Sequence, residues 1–205
     1  VVTAGGTREA IDPVRFITNR SSGKQGYALA QAALDAGAAV TLVTASDLPS
    51  PVGANIINVS SAEHMQLAVL DHIATADALL MAAAVADFRP QTRATQKIKK
   101  KDDSDEAPII VLSRTPDILM SVKEQRASID HPQVVVGFAA ESEHLLSHAR
   151  AKLERKGLDL LIANDITASD AGFEVDTNRV IILGADGTQT PLALATKTRI
   201  AEAII

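Results

Sequence analysis

Short β-branched runs alternate along this chain with alanine- and leucine-rich stretches long enough for several helical turns. Val1–Ala4, Ala39–Ala45, Asn55–Val59, Asp77–Ala84, Pro108–Leu112, Gln133–Ala139, Asp159–Ala163 and Asn178–Leu183 read as strands. Helices are predicted over Gly26–Ala36, closed by Gly37, and from a Ser60 or Ser61 cap to about Thr75. Further helices are predicted over Pro116–Arg126, Glu143–Lys156 and Ala193–Ile205. Strands separated by helices of about ten to fifteen residues build right-handed βαβ units. The expected fold is therefore α/β and Rossmann-like, a mostly parallel sheet flanked by helices on both faces. The continuously apolar Asp77–Ala84 suits a central strand covered on both sides. We read residues 1–205 as a single domain. A strand at the first residue suggests a domain cut from a longer polypeptide.

Ligands in such sheets sit beyond the carboxyl ends of the strands. This directs attention to the loops after Ala4, Ala84, Ala139 and Ala163. Composition narrows what they can do. No cysteine is present, which removes disulfides, thiolate nucleophiles and cysteine-ligated metals. A net charge of -5 argues against a broad nucleic-acid footprint. No apolar run approaches the roughly 18–20 residues of a membrane span. A cytoplasmic protein acting on small molecules is expected.

The first loop carries Gly5 and Gly6 directly after a strand, where they either admit a ligand to the backbone or make a tight turn. No G-x-G-x-x-G follows, so Asp47 lacks the fingerprint that would make it a ribose ligand. Ser22-Gly23-Lys24 fails as a Walker A motif, with Thr18 where its first glycine would stand and Gln25 after the lysine. Ser21, Ser22 and Gly23 nevertheless open a helix, where free N–H groups and the dipole favour an anion. Arg15, Arg20 and Lys24 add positive charge, and the alternative is plain capping by Ser22.

Ala82-Ala83-Ala84 would leave room for a ligand against the backbone, with Asp87 just beyond; close helix packing and a capping Asp would also explain them. Residues 85–107 show no hydrophobic period and are expected to form a mobile loop. Within it, Lys97, Lys99, Lys100 and Lys101 precede Asp102, Asp103, Asp105 and Glu106. That run is either a solvated segment or a lid over polyphosphate. On the helix ending at Lys156, Leu145, Ala149 and Leu153 form one stripe at about 100° per residue. Lys152 and Lys156 border that stripe, Leu146 lies on its edge, and Ser147, Arg150 and Glu154 face outward. The two lysines either snorkel or meet a polyanion. His144 and His148 stand four apart without a third ligand, so metal binding there is not expected. The residues alone suggest a nucleotide-using transferase or ligase. An NAD(P)-dependent oxidoreductase and a non-catalytic nucleotide-binding regulatory module are the rivals.

In order, TAGGTREAIDPVRFITNRSSGKQG, AAAVADF, KIKK, TPDIL, VGFAAE and LIANDI resemble the phosphopantothenate–cysteine ligases (phosphopantothenoylcysteine synthetases) of coenzyme A biosynthesis. The resemblance runs from Val2 to about Phe173, and the D-P-V-R-x-I-x-N-x-S-S-G-K block is its most specific part. In bacteria such a ligase is commonly the C-terminal half of a bifunctional protein. Its N-terminal half is a flavin-dependent decarboxylase, so FMN would belong to that half. The resemblance implies that the carboxylate of 4'-phosphopantothenate attacks the α-phosphate of CTP, giving an acyl-cytidylate and pyrophosphate. The amine of L-cysteine then displaces CMP. Mg2+ would be held mainly through the CTP phosphates, with no protein ligand assigned.

By the same resemblance, Asn19 contacts the acyl intermediate and Lys97 begins the K-x-K-K lid associated with CTP, followed by Lys99 and Lys100. Phosphopantothenate would meet Asn19, Ser21, Ser22, Gly23, Lys24, Ala83 and Ala84, with Arg15 reaching toward a partner subunit. CTP would meet Gly5, Gly6, Ala83, Asp87, Pro116, Asp117, Ile118, Leu119, Phe138, Lys152 and Lys156. A homodimer is implied, or a higher oligomer when fused to the decarboxylase. Arg20 within the serine-glycine block is a substitution that leaves the motif's chemistry intact.

Overall fold

The computed structural model of the chain describes residues 1–99, 107–141, 145–165 and 175–205. Strand β1 spans Val2–Ala4, and a small hairpin follows, β2 (Arg8–Ala10) and β3 (Phe16–Thr18). Helix α1 (Lys24–Asp35) leads to β4 (Thr41–Thr44) and β5 (Asn55–Asn58). Helix α2 (Ala62–Ile73) precedes β6 (Ala78–Met81), then β7 (Phe88–Pro90) pairs with β8 (Leu112–Arg114). Helix α3 (Ile118–Ile129), β9 (Val134–Glu141), α4 (Leu145–Lys156) and β10 (Leu160–Asp165) continue the alternation. The chain ends with β11 (Thr177–Gly184), β12 (Gln189–Thr196) and α5 (Lys197–Ile204).

The main sheet runs β12-β11-β10-β9-β6-β1-β4-β5. Every pair from β10 to β5 is parallel, and β11 and β12 add an antiparallel edge. Side chains alternate across the pleat, and this splits the core in two. Val43, Leu79, Val135 and Leu161 face the layer packed with Met65, Val69, Val122 and Leu153 of α2, α3 and α4. Their sequence neighbours Leu42, Leu80, Val136 and Ile162 face Leu29 of α1 and Ile200 of α5. Both faces of the sheet are thus covered, as the run of apolar strands requires.

Several expectations change. The predicted terminal helix over 193–205 is instead a strand to Thr196 and a short helix after it. Asp186-Gly187 turns the chain back, and β12 pairs with β11, so sheet pairing overrides the alanine-rich helical propensity there. The strand predicted at Pro108–Leu112 lies at Leu112–Arg114, because the register is set by Phe88 opposite Arg114. Pro116 precedes α3 rather than opening it; Asp117 is the cap, accepting from Met120 N at 3.2 Å. Helix α1 begins at Lys24, two residues before the predicted start. The long loop predicted before Ser22 holds the β2–β3 pair, and the one predicted over residues 85–107 holds β7, whose partner β8 lies beyond it. His144 and residues 100–106 lie outside the described residues.

Candidate functional site

Chain direction across the sheet reverses between β1 and β6: β4 and β5 extend one way, β9 and β10 the other. Such a switch point opens a crevice at the strand ends. The loops leaving β1 and β6 are laced together there. Ala84 N donates to Gly5 O at 2.9 Å and Thr7 N to Ala84 O at 3.2 Å. Ala86 N donates to the buried Thr7 Oγ1 at 2.9 Å and Ala83 N to Thr3 Oγ1 at 3.1 Å. Asn19 joins the same seam, its Nδ2 donating to Val85 O at 3.0 Å.

The cleft above this seam has two lobes. The first, about 300 Å³, lies between the Asn19–Gly26 segment, Ala82–Val85 and the ends of β9 and β10. The second, about 620 Å³, lies between Ala83–Phe88, Arg114–Leu119 and α4. Ala83, Val85, Asp87, Phe138 and Lys152 line both, so the lobes share one wall.

The start of α1 forms the floor of the first lobe. Its cap, Gly23, has φ +85° and makes no side-chain cap bond; a Cβ there would stand 2.8 Å from Ser46 Cβ. Gly26 presses the helix onto β1, since a Cβ would meet Ala4 Cβ at 2.6 Å and Thr3 O at 2.7 Å. The N-terminal end of α1 therefore opens into the cleft, an orientation that favours an anion there. Ser22 Oγ accepts from Lys24 N at 3.5 Å, the capping contact that the sequence also allowed. Ser46 Oγ donates to Ser22 O at 2.8 Å and fixes the loop from behind.

In the second lobe Asp117 caps α3 with one carboxylate oxygen and accepts from Lys156 Nζ with the other. Lys156 is buried, 8 % exposed, and Lys152 Nζ donates to Phe138 O at 2.8 Å. Both lysines thus border the buried stripe of Ala149 and Leu153, while Ser147, Arg150 and Glu154 are exposed. Thr115 ties this lobe to the seam: its Oγ1 donates to Ala86 O at 2.5 Å and its N to Asp87 O at 3.0 Å.

The residues expected to meet phosphopantothenate, namely Asn19, Ser21, Ser22, Gly23, Lys24, Ala83 and Ala84, all line the first lobe. Asp87, Pro116, Asp117, Ile118, Leu119, Phe138, Lys152 and Lys156, expected to meet CTP, line the second. Gly5 and Gly6 line neither lobe; they pair with Ala84 in the seam. Asp47 is exposed and bonds Arg8 at 2.9 Å, away from both lobes.

Arg15 also lies outside both lobes. Its Nε and Nη2 donate to Asp12 Oδ2 at 3.0 and 2.5 Å, and Nη2 reaches Ile98 O at 2.6 Å. Ile98 N donates to the same carboxylate at 3.0 Å. The base of the lysine segment is thereby clamped, with Lys97 and Lys99 exposed on either side of Ile98. The Arg15 guanidinium, helped by the Val14, Ile98 and Arg15 N–H groups, holds the buried Asp12 carboxyl well below the usual carboxylate range, against the opposite effect of burial.

Four polar residues that line the first lobe are not singled out by the sequence: Gln25, Asn164, Asn178 and Lys197. Among the described residues, Gln25 Oε1 and Asn164 Oδ1 are buried without a hydrogen-bond partner. Asn164 sat in the LIANDI motif and was recoverable there; Lys197 was hidden inside the helix predicted over 193–205. Among the described residues no group of three His, Asp or Glu side chains is placed to hold a metal ion. Nor is any helix among them long and apolar enough to cross a membrane.

Against known proteins, the family model described as the DNA/pantothenate metabolism flavoprotein C-terminal domain matches residues 1–205. The coenzyme A biosynthesis bifunctional protein CoaBC of Mycobacterium bovis (strain ATCC BAA-935 / AF2122/97) is 50% identical over 213 residues, covering 100% of this chain and 50% of that protein. The chain thus spans about half the length of the curated relatives it matches. The crystal structure of the C-terminal domain of a CoaBC protein superposes with a TM-score of 0.80 at 37% identity, covering 98% of this chain and 89% of that one. A Cab2 mutant in complex with phosphopantothenate-cysteine shares the fold at 19% identity, with a TM-score of 0.74 over 99% of this chain and 82% of that one.

Proposed function

Because the chain belongs to the DNA/pantothenate metabolism flavoprotein C-terminal domain family, we propose that residues 1–205 are one ligase domain that joins 4'-phosphopantothenate to L-cysteine at the expense of CTP. The observation that carries this reading is the shared wall of the cleft. Ala83, Asp87, Phe138 and Lys152 touch both lobes, so a carboxylate bound in the first would lie beside an α-phosphate bound in the second. Proximity of that kind does most of what an acyl activation needs.

The carboxylate oxygen attacks the α-phosphorus of CTP; the bond to the bridging oxygen breaks and pyrophosphate leaves. The amine of cysteine then attacks the activated carbonyl, loses a proton, and expels CMP. No protein nucleophile takes part. Asn19, whose Nδ2 donates to Val85 O, would steady the oxygen of the acyl group. Lys152 and Lys156 take the charge of the nucleotide, and the clamped Lys97–Ile98–Lys99 segment closes over it. Asp117, Ile118 and Leu119 supply the N–H groups of a helix start to the base.

Mg2+ would reduce the charge repulsion of the triphosphate, held mainly through the triphosphate oxygens; the carboxylates lining the second lobe are Asp87 and Asp117. FMN chemistry we assign to the other half of bifunctional relatives, not to this cleft. We place the protein in the cytoplasm as a homodimer, or a higher oligomer when fused. The hairpins support a second copy, since Phe16, Phe88 and Leu112 are 49, 50 and 46 % exposed there.

The test follows nucleotide and substrate together. Pyrophosphate should appear from CTP only when phosphopantothenate is present, and CMP should be released on adding cysteine. If CTP is not consumed under those conditions, the ligase reading is wrong.

A further inference from the structure

Asn19 stands one residue beyond β3, a three-residue strand of a two-stranded hairpin. Such a hairpin is marginal in water by itself, so its place must be set from outside. Thr18 pairs with Arg8, and Ile17 with Glu9. Thr18 Oγ1 also donates to Thr7 O at 2.7 Å. The Asn19 carbonyl lies against Gly6, where a Cβ would stand only 2.6 Å from it. A shift of β2 and β3 is therefore passed directly to Asn19.

What sets the hairpin's place is the start of α2, a helix that lines neither lobe. Arg8 N donates to Ser60 O at 2.7 Å. The next side chain along β2, that of Glu9, crosses to the same turn, and its Oε1 accepts from Ala62 N at 2.8 Å. Glu9 is 3 % exposed. Burying its carboxyl group is costly without a partner, and the first N–H of α2 supplies one. Capping alone would not call for a residue 53 positions away, since Ser61 caps the helix with its own Oγ, accepting from His64 N at 3.2 Å. The other strand pair is moored to the same turn by Arg89 Nη1, which donates to Glu63 Oε2 at 2.8 Å. Solvent reaches both of those partners, and such surface pairs contribute little. The buried contact of Glu9 is the firmer of the two.

We propose that Glu9 is a positioning residue: through Ala62 it fixes the hairpin on α2 and so holds the Asn19 side chain in the seam. Glu9 itself lines neither lobe. The ligase reading enters only in taking Asn19 as the group that acts.

A double-mutant cycle with Asn19 tests this. Glu9→Ala should lower kcat by roughly 10- to 100-fold, the scale of a small misplacement, with the KM for CTP unchanged. In the Asn19→Ala background the same substitution should cost less than about threefold, because the group it positions is gone. Glu9→Gln, whose amide oxygen can still accept from Ala62 N, should keep kcat within about threefold of the wild type. Ser61→Ala weakens the start of the same helix without touching the hairpin; it should lower the unfolding midpoint and leave kcat unaltered. Equal losses from Glu9→Ala in the two backgrounds, or a loss of kcat in Ser61→Ala as large as that in Glu9→Ala, overturn the proposal. If circular dichroism finds Glu9→Ala unfolded, Glu9→Asp, which draws the carboxyl group back by one methylene, takes its place in the cycle. A second readout needs no turnover. The Asn19 side-chain amide signal in ¹⁵N NMR, identified by its loss in Asn19→Ala, should move in Glu9→Ala and stay in Ser61→Ala. A signal unmoved by Glu9→Ala overturns the positioning role. If that signal moves as expected while the wild type consumes no CTP, the ligase reading fails and the role of Glu9 in placing Asn19 stands.

Discussion

The two lobes of the cleft use the same residue type at opposite ends of helices. In the second lobe Lys152 and Lys156 sit in the latter half of α4, Lys156 being its final residue. There the dipole attracts a cation, and Phe138 O and Asp117 receive the two ammonium groups. In the first lobe Lys24 and Lys197 stand at helix starts, where the dipole repels them. One set agrees with the local rules of helix stability; the other breaks them. Violations of that kind are expected where a fold is arranged for a ligand. The second lobe is thus a charged structural corner that a nucleotide can share. In the first lobe the charge of Lys24 is met by Asp176 rather than by its own helix.

The largest effect that would break this comparison belongs to Asn19, in the seam beneath the first lobe. Asn19→Ala should lower product formation by roughly 10²- to 10³-fold, the usual result of removing one preorganised donor. Its far-ultraviolet circular dichroism should match the wild type. Wild-type turnover in this variant would remove Asn19 from the chemistry. Next, Lys156→Met should raise the KM for CTP by roughly tenfold, as loss of a hydrogen bond to a charged group predicts. The KM for phosphopantothenate should stay close to the wild type. Equal loss of both would mean that the lobes are not separate in function. Lys97→Ala should weaken CTP use by about the same factor, again sparing phosphopantothenate.

Core variants provide the contrast. Leu161→Ala, at a fully buried position between β9 and β11, should destabilise by about 2–5 kcal/mol in denaturant titration, with KM values for both substrates unchanged. A changed KM would show that the sheet's packing tunes the cleft. The smallest effect is an acid one. The folded-state pKa of Asp12 is depressed, so its contribution is complete above about pH 4, the unfolded value, and is lost as pH falls toward the folded one. Asp12→Asn should therefore be less stable than the wild type at pH 7, with the gap narrowing below about pH 4. A gap independent of pH would mean that the carboxylate charge is not what clamps Ile98.

Much of this was legible in the sequence, for reasons that can be named. The apolar runs of β4, β6, β9 and β10 alternate with amphipathic helices, and that pattern determines the parallel sheet and the crevice at its switch point. The stripe on α4 put Lys152 and Lys156 beside the core because helical geometry is rigid. What stayed hidden depended on pairing between distant segments. The hairpins at 8–18 and 88–114 are three-residue strands with no period to detect. The end of β12 from Ala193 to Thr196 reads as helix until β11 pairs with it, and that reading concealed Lys197. The clamp of Asp12 and Arg15 on Ile98 joins residues more than eighty apart, as no local pattern can reveal.

The central claim is that one oxygen of the acid passes to the nucleotide's α-phosphate inside this cleft. Phosphopantothenate labelled with ¹⁸O in its carboxylate, incubated with CTP and cysteine, tests it directly by mass spectrometry of the released nucleotide. The account predicts CMP carrying one ¹⁸O, with unlabelled pyrophosphate. Unlabelled CMP, or CDP with the label in inorganic phosphate, would contradict it.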